Sequence, residues 1–379
     1  MACAREQGRR VAFAPYRVCL VGAHIDHQKG TVTGFGLDRG MVLSYAAADR
    51  PLVTVSDGTS NAILSLDRTG AIVSCQGAES WAPFVQGAAS VSGPLERGLD
   101  ATLAGSLPPG GLSSSAALSL ALLTAFGDVT GRTPAREALP RLAVRVEHEF
   151  VGVQCGLLDP TIIVNAAFNS MVVLDCETEA ASVIPGPEAA IVAVYSGVPR
   201  SLVSTGFNNR TRECRDAAKL IAERWGGRPE EPVEVLGDLP SDVLARYADE
   251  LPYPFSNRAR HFLTEQRRAR RAVDAWRRGD LEEFGRCASE SLASSIANYE
   301  TGSPEQKVLA RILCEAPGVY GARFCGGGFG GFAAAVCDPA SADEVAEWAA
   351  ARYRDAVPEY ADVAFSLVSR PAEGLQWLV

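Results

Sequence analysis

Histidine and methionine are scarce in this chain, with four and three among 379 residues, and only three of its 36 basic residues are lysine. Ten cysteines are present but scattered, at positions 3, 19, 75, 155, 176, 214, 287, 314, 325 and 337. No CxxC pair or Cys/His ladder occurs among them, which argues against a zinc site and against a disulfide framework. No apolar run approaches the ~20 residues of a membrane span. The stretch after Arg5, Arg9 and Arg10 is broken at Pro15 and Arg17, so no secretory signal is expected. Neither an internal repeat nor a low-complexity tract interrupts the chain. Positive charge is also short: 36 Lys and Arg against 45 Asp and Glu leave a formal charge of −9. A net anion is poorly suited to nucleic acid or to an anionic membrane, although a local cationic pocket fits within it. What remains is 47% hydrophobic and 21% charged residues, the balance of a globular protein with a large core. At ~150 residues per domain the length suggests two domains. The expectation is a reduced, soluble, cytoplasmic protein.

Along the chain, Val11–Val21 and Gly40–Ala48 read as strands, the first interrupted by Pro15. Leu118–Phe126 suits a buried helix, and Arg136–Phe150 alternates charged and apolar residues at helical spacing. Thr161–Leu174 and Ala189–Tyr195 look strand-rich. Beyond Gly197 the pattern turns to charged helices over Arg210–Trp225 and Asn257–Arg278, with a Gly-, Pro- and Glu-rich surface loop, Gly226–Pro240, between them. Near the C-terminus Phe332–Val336 reads as a strand and Ser341–Asp355 as a helix. The expected architecture is a mixed α+β protein of two lobes, residues 1–190 and 191–379.

The densest chemistry lies in Leu107-Pro-Pro-Gly-Gly-Leu-Ser-Ser-Ser-Ala-Ala117. Gly110 and Gly111 let the backbone turn and approach a ligand closely. Ser113, Ser114 and Ser115 then open an apolar helix whose start offers backbone N–H groups, hydroxyls and the positive end of a dipole, a phosphate site. A capped buried helix would explain the serines equally, since Ser is a favoured N-cap. The spacing is not that of the lysine-bearing P-loop.

Pro-x-Gly-Gly-Leu-Ser-Ser-Ser-Ala resembles the second motif of the GHMP kinases, small-molecule kinases that cradle ATP phosphates in this loop. Arg17-Val-Cys-Leu-Val-Gly-Ala-His-Ile-Asp26 resembles the galactokinase signature R-V-N-L-I-G-E-H-T-D. Glu147-His-Glu-Phe-Val-Gly-Val-Gln-Cys-Gly-Leu-Leu-Asp159 is similar to the stretch that holds the catalytic aspartate there, and Ala322–Gly331 resembles the C-terminal glycine motif. The four matches fall in the family's order from residue 17 to residue 331. The resemblance implies a ribosomal-S5-like N-terminal lobe and a ferredoxin-like C-terminal lobe.

It also implies roles. Asp159 matches the catalytic aspartate that takes or orients the acceptor's proton, and Arg17 the arginine between it and the transferred phosphoryl group, where a cation neutralises developing charge. A turn aspartate before Pro160 is the plain alternative for Asp159, and galactokinases commonly have Gln after this Asp. Gly110, Gly111, Leu112, Ser113, Ser114, Ser115 and Ala116 would hold the ATP phosphates. Ser115 and Glu147 would hold Mg²⁺ through hard oxygens, although a solvated helix face explains Glu147 too. Gly327 would let a backbone turn approach the substrate or the phosphates. Trp81 aligns with a tryptophan lining the adenine pocket, and plain core packing accounts for it as well.

The acceptor motif departs from galactokinases. Where they carry Glu-His-x-Asp-Tyr, this chain has Ala23-His24-Ile25-Asp26-His27. His24 and Asp26 are kept, and with Gly156 they imply recognition of sugar-ring hydroxyls. Replacement of the glutamate by Ala23 removes an acceptor for the C6 hydroxyl, opens room, and removes repulsion toward a C6 carboxylate. His27 and Gln28 replace Tyr-Asn and are expected to donate hydrogen bonds to such a carboxylate. Ala14–Gln28, Ser294–Glu300 and Ala316–Phe324 resemble galacturonokinases more closely still. Phe207 stands where family members often carry a sugar-contacting tyrosine. The expectation is an ATP- and Mg²⁺-dependent anomeric sugar kinase acting on D-galacturonate, with galactose or another hexose or uronate as the alternative acceptor. Its partners would be the sugar and ATP, not nucleic acid or membrane, with oligomeric state left open. A non-catalytic sugar sensor on the same fold would be expected to lose the loop or the acid, and both are intact. His24-x-Asp26 and Cys155-Gly-x-x-Asp159 argue against an isoprenoid or amino-acid precursor as acceptor.

Overall fold

The computed structural model describes residues 8–77, 80–108, 110–199, 206–227 and 232–378. Its first sheet is built from β1 (Arg10–Val18), the long β2 (Thr31–Ala48), β3 (Leu52–Ser56), β4 (Asn61–Leu66), β5 (Ile72–Gly77) and β6 (Gly98–Gly105), followed by β7 (Ser170–Asp175) and β8 (Ala180–Pro185). The C-terminal β13 (Gln376–Trp377) completes it. The order is β13-β1-β2-β6-β3-β4-β5, with β7 and β8 added along the first half of β2. The expected strand at Gly40–Ala48 is thus the second half of an 18-residue strand, whose two halves carry different neighbours. A second sheet has the order β10-β11-β9-β12, from β9 (Ala190–Tyr195), β10 (Val319–Phe324), β11 (Phe332–Cys337) and β12 (Phe365–Ser369).

The helices are α1 (Ala82–Val91), α2 (Ser114–Val129), α3 (Leu139–Val146), α4 (Leu158–Asn165), α5 (Phe207–Trp225), α6 (Ser241–Tyr247), α7 (Phe255–Arg277), α8 (Leu281–Ala297), α9 (Pro304–Glu315) and α10 (Ala342–Ala356). The main core gathers the inner faces of β1, β2 and β6, the apolar length of α2, and residues of α7, α8 and β9. Such mixing of helices and sheets makes an α+β fold. The second sheet begins at Ala190, while the tail returns to pair Ala12 with Trp377. No helix of the described residues is long and apolar enough to cross a membrane.

Two local departures from the sequence reading bear on function. Thr161–Leu174 is not all strand: α4 occupies Leu158–Asn165 before β7 begins. The β-branched run Thr161–Val164 favours a strand locally, but burial of the helix between β1, β2 and α2 overrides that preference. Pro160 falls in the first turn of α4, where its missing N–H is one of the helix's orphans anyway. The second departure is in β1, whose register to β2 shifts between Pro15 and Arg17. A bulge of this kind re-aims a side chain, and the next residue it serves is the buried Arg17.

Candidate active site

Arg17 is 3% exposed. Its Nε donates to Asp159 Oδ1 at 2.7 Å, its NH2 lies 2.6 Å from the same oxygen, and its NH1 donates to the Gly111 carbonyl at 3.0 Å. The Arg17 backbone N–H donates to the Leu112 carbonyl at 3.2 Å. One strand end thereby holds both the aspartate and the glycine–serine loop. Burial alone would weaken the guanidinium's charge, but the Asp159 carboxylate beside it raises its pKa further.

Ser113 supplies the other half of this arrangement. It stands at the N-cap of α2 in the left-handed region (φ 61°), and its hydroxyl makes no capping bond. Instead it donates to Asp159 Oδ2. The capping alternative for these serines therefore fails, and the first N–H groups of a 16-residue helix keep no side-chain cap, as an anion site requires. Ser114 is the first residue of α2, while Leu112 and Ala116 are buried in the core and offer a ligand only their backbone. Gly110 and Gly111 are pressed against the C-terminal motif. A Cβ on Gly110 would lie 2.8 Å from Gly331 Cα, and one on Gly111 3.0 Å from the Cys325 carbonyl oxygen. The two glycine-rich segments, over 200 residues apart, meet backbone to backbone.

The pocket above this floor is lined by Arg17, Asp159, Ser115 and Glu147, and on its sugar-motif side by Ala23, His24, Asp26 and Gly156. Gly327 closes it from the C-terminal motif. Glu147 is 5% exposed at the start of a π-helical turn, Glu147–Val151, so it is no solvated helix face. Asp26 opens a 3₁₀ turn and packs on Gly156, where a Cβ would stand 2.2 Å from Asp26 Oδ2. Burial would raise the Asp26 pKa, but the His27 hydrogen bond and charge and nearby backbone N–H groups outweigh it and hold the carboxylate below its usual value. His24 (φ 65°) lies flat on Tyr299, with ring centroids 4.5 Å apart.

Some expected residues fall elsewhere. Gln28 is fully buried, its Oε1 accepting from Leu236 N at 3.0 Å and its Nε2 donating to the His27 carbonyl at 3.0 Å. Both ends of the amide are used in closing the turn, so Gln28 is withdrawn as a substrate ligand. His27 stands behind Asp26, with Nδ1 3.4 Å from Asp26 Oδ1 and Nε2 3.3 Å from the Tyr299 hydroxyl, and supports the pocket from outside its wall. Trp81 caps the start of α1 half-buried against the main core and does not line the pocket. Phe207 is the first residue of α5, and its side chain lies outside the described residues. Its neighbour Asn208 accepts from Gln154 N at 3.3 Å, which sets this helix start against the loop leading to Gly156.

Residues with no role in the sequence reading also line the pocket, notably Cys19, Cys155 and Arg323. Burial, together with the charges of Glu147, Asp159 and Asp26, pushes the Cys155 thiol well above its ordinary pKa. The three carboxylates therefore converge on one place. Arg323 gives the same signal as Arg17, a lone charge in an apolar strand. Beneath Ala23 lies a further layer. Glu265, fully buried, accepts from Gly22 N at 2.7 Å and Ala23 N at 3.2 Å, and His261 Nε2 meets the Ala23 carbonyl at 3.0 Å. Among the described residues no group of three or more His, Cys, Asp or Glu is placed to hold a metal ion.

Residues 83–166 match the family model of the GHMP kinases N terminal domain, and residues 270–355 that of the GHMP kinases C terminal domain. A galacturonokinase of Arabidopsis thaliana is 33% identical, over 94% of this chain and 90% of its own. A galactokinase of Roseiflexus sp. (strain RS-1) is 31% identical, over 96% and 92%. Among solved structures, Lactococcus lactis galactokinase complexed with galactose superposes with a TM-score of 0.86 at 26% identity, covering 98% of this chain and 95% of that one.

Proposed function

The chain belongs to the GHMP kinases, as a sugar kinase of the galactokinase and galacturonokinase type, and from that premise we propose that its acceptor is D-galacturonate, phosphorylated at the anomeric oxygen. The observation that carries the reaction is the clamp on Asp159, with Arg17 on one carboxylate oxygen and Ser113 on the other. Both donors are anchored to the phosphate loop or belong to it. In the step itself the anomeric oxygen forms a bond to the γ-phosphorus, the bond from that phosphorus to the β,γ-bridging oxygen breaks, and ADP leaves. The hydroxyl proton passes to Asp159, or is oriented by it. Arg17 offsets charge developing on the transferred group.

The phosphates would lie over Gly110–Ala116, against the uncapped start of α2. Ser115 and Glu147 fit Mg²⁺: both are hard oxygen donors lining the pocket, and this ion usually takes few protein ligands alongside substrate phosphates and water. When bound it would supply charge neutralisation on the phosphates. Trp81 would face the adenine, and Phe207 would give the sugar an apolar contact. Asp26, with His24 and Gly156, would read the ring hydroxyls. Residues 1–190 and 191–379 would form the two lobes around ATP.

The uronate preference rests on Ala23. A small apolar side chain there leaves space, and no carboxylate, where the galactokinase signature has glutamate. Galactose is the second reading, favoured by the retained Asp26 and by galactokinase relatives of nearly equal identity. The deciding experiment measures ATP- and Mg²⁺-dependent phosphorylation of D-galacturonate, D-glucuronate, D-galactose and L-arabinose side by side. Turnover of galacturonate well ahead of galactose is the expected result. Faster turnover of galactose would make the enzyme a galactokinase with a relaxed C6 pocket. Binding without turnover of any sugar would make it a sensor.

A further inference from the structure

The acceptor motif carries two histidines, and both meet one tyrosine from the C-terminal half of the chain. His24 lies flat on the Tyr299 ring, with centroids 4.5 Å apart, while His27 Nε2 is 3.3 Å from the Tyr299 hydroxyl. Tyr299 is fully buried just past the end of α8. Arg210 Nε donates to its carbonyl at 3.1 Å, and the Arg258 guanidinium lies 5.9 Å from its ring centroid. Arg258 is itself held by Glu213 and Glu300. The tyrosine is therefore a fixed point, and the far nitrogen of His27 rests against it.

The near nitrogen faces Asp26. His27 Nδ1 is 3.4 Å from Asp26 Oδ1, and both side chains are largely buried. Burial would raise the Asp26 pKa, but the His27 hydrogen bond leads the effects that hold it below its usual value, so the carboxylate is ionised. An ionised carboxylate only accepts, and Nδ1 therefore carries a proton. On the other side the Tyr299 hydroxyl serves either form of the ring, donating to a neutral Nε2 or accepting from a charged one. Both contacts are at the long end of the hydrogen-bond range, so their worth lies in direction more than in strength. The two Asp26 oxygens then have different surroundings. Oδ1 is engaged by His27, whereas Oδ2 stands where a Cβ on Gly156 would clash with it, and Asp26 and Gly156 both line the pocket. The galactokinase signature has tyrosine at position 27, so an imidazole N–H behind Asp26 is a departure from it.

We propose that His27 is a positioning residue for the acceptor: Tyr299 fixes its imidazole, and its Nδ1–H holds Asp26 Oδ1 so that Oδ2 faces the sugar-ring hydroxyls. The assignment rests on the reading of Asp26 as the residue that contacts those hydroxyls, and the test separates the two. The variants are His27→Leu, His27→Asn, Tyr299→Phe, the His27→Leu/Tyr299→Phe pair and Asp26→Asn. Each is assayed for kcat and for the KM of ATP and of the better acceptor among D-galacturonate and D-galactose. His27→Leu should raise the acceptor KM roughly tenfold, the scale of a hydrogen bond to a charged group, with kcat and the KM for ATP little changed. His27→Asn, whose amide N–H takes the place of Nδ1–H, should recover most of that loss. Tyr299→Phe keeps the ring under His24 and removes the hydroxyl; it should raise the acceptor KM by itself and add nothing on top of His27→Leu. If His27→Leu lacks a cooperative thermal transition, His27→Gln, whose longer amide reaches the Nε2 position instead, is read in its place. An acceptor KM unmoved in His27→Leu but raised in Asp26→Asn overturns the assignment and leaves the Asp26 reading standing. Equal rises in both KM values, or additive effects of the two single variants, also overturn it, because a merely structural role predicts them. An acceptor KM unmoved in Asp26→Asn overturns the Asp26 reading, and the role of His27 with it.

Discussion

Restoring the missing carboxylate by Ala23→Glu is the most direct perturbation of substrate choice. Ala23 is 5% exposed, and its backbone is fixed on both sides, N–H to Glu265 at 3.2 Å and carbonyl to His261 at 3.0 Å. A longer side chain must therefore extend into the pocket. There a glutamate and a substrate carboxylate ~4 Å apart would repel by about 4 kcal/mol at an effective dielectric of ~20, roughly a thousandfold in kcat/KM. Added bulk in a packed wall costs ~1–3 kcal/mol of stability by itself, so Ala23→Gln is the matched control: the same size, without the charge. The assay is kcat/KM for D-galacturonate and D-galactose in wild type, Ala23→Gln and Ala23→Glu, with thermal unfolding of each. The galacturonate-to-galactose ratio should fall moderately in the glutamine variant and by at least roughly 30-fold further in the glutamate variant, even if relaxation halves the repulsion. Equal ratios in Gln and Glu would refute the electrostatic argument. An unchanged ratio in both would refute the placement of the substrate's C6 end at Ala23.

Asp159→Asn keeps the shape of the clamp but cannot accept a proton, and kcat should fall by about 10²–10⁴ while sugar binding, read by thermal shift, persists; retention of a tenth of wild-type kcat would remove the aspartate from proton transfer. Gly156→Ala puts a Cβ 2.2 Å from Asp26 Oδ2, so the KM for sugar should rise with that for ATP unchanged, and equal rises in both would contradict the division of the pocket. Stability should fall on acidification because of His261. Burial holds its folded pKa down to about 4 against an ordinary 6.5, so between those values the unfolded chain binds the extra proton. The stabilisation, up to ~3 kcal/mol, is complete above pH ~6.5 and is lost as pH falls toward 4. His261→Gln should flatten the thermal midpoint over that window, and a curve as steep as wild type would sink the assignment.

The parts of the site legible in the sequence are those where chemistry and local backbone coincide. The glycine–serine run is visible because only glycine tolerates the backbone contacts at 110 and 111, and because an uncapped helix start needs small polar residues around it. Arg17 is visible because a charge inside an apolar strand has to be explained. Arg323 carries the same signal, but the glycines beside it took the reading, and its serine partners on α8 can be seen only in three dimensions. Gln28 misled for the opposite reason: an amide next to a sugar motif looks like a ligand, whereas its partners, Leu236 and His27, belong to a turn and a loop about 200 residues apart. The helix at Leu158–Asn165 was hidden by its β-branched residues.

The layer beneath Ala23 shows why the rest could not be read. Glu265, His261 and Ser291 lie on α7 and α8, in stretches whose charged, helical pattern looks like solvent-facing surface. Only the packing of those helices against the loop after β1 turns Glu265 inward, where it holds the Gly22 and Ala23 amides and reaches Arg323 through Ser291. His261 adds a bond to the Ala23 carbonyl while its Nδ1 meets Ser294 Oγ at 2.9 Å. The Ala23 carbonyl can only accept, so Nε2 carries a proton; burial keeps the ring neutral near pH 7, so Nδ1 accepts from the Ser294 hydroxyl. The segment bearing Ala23 is thus held by donors and acceptors from the C-terminal half of the chain. Opening room at Ala23 changes one wall while its supports stay fixed, and a substitution of that kind can redirect substrate choice without disturbing Asp159 and Arg17 across the pocket.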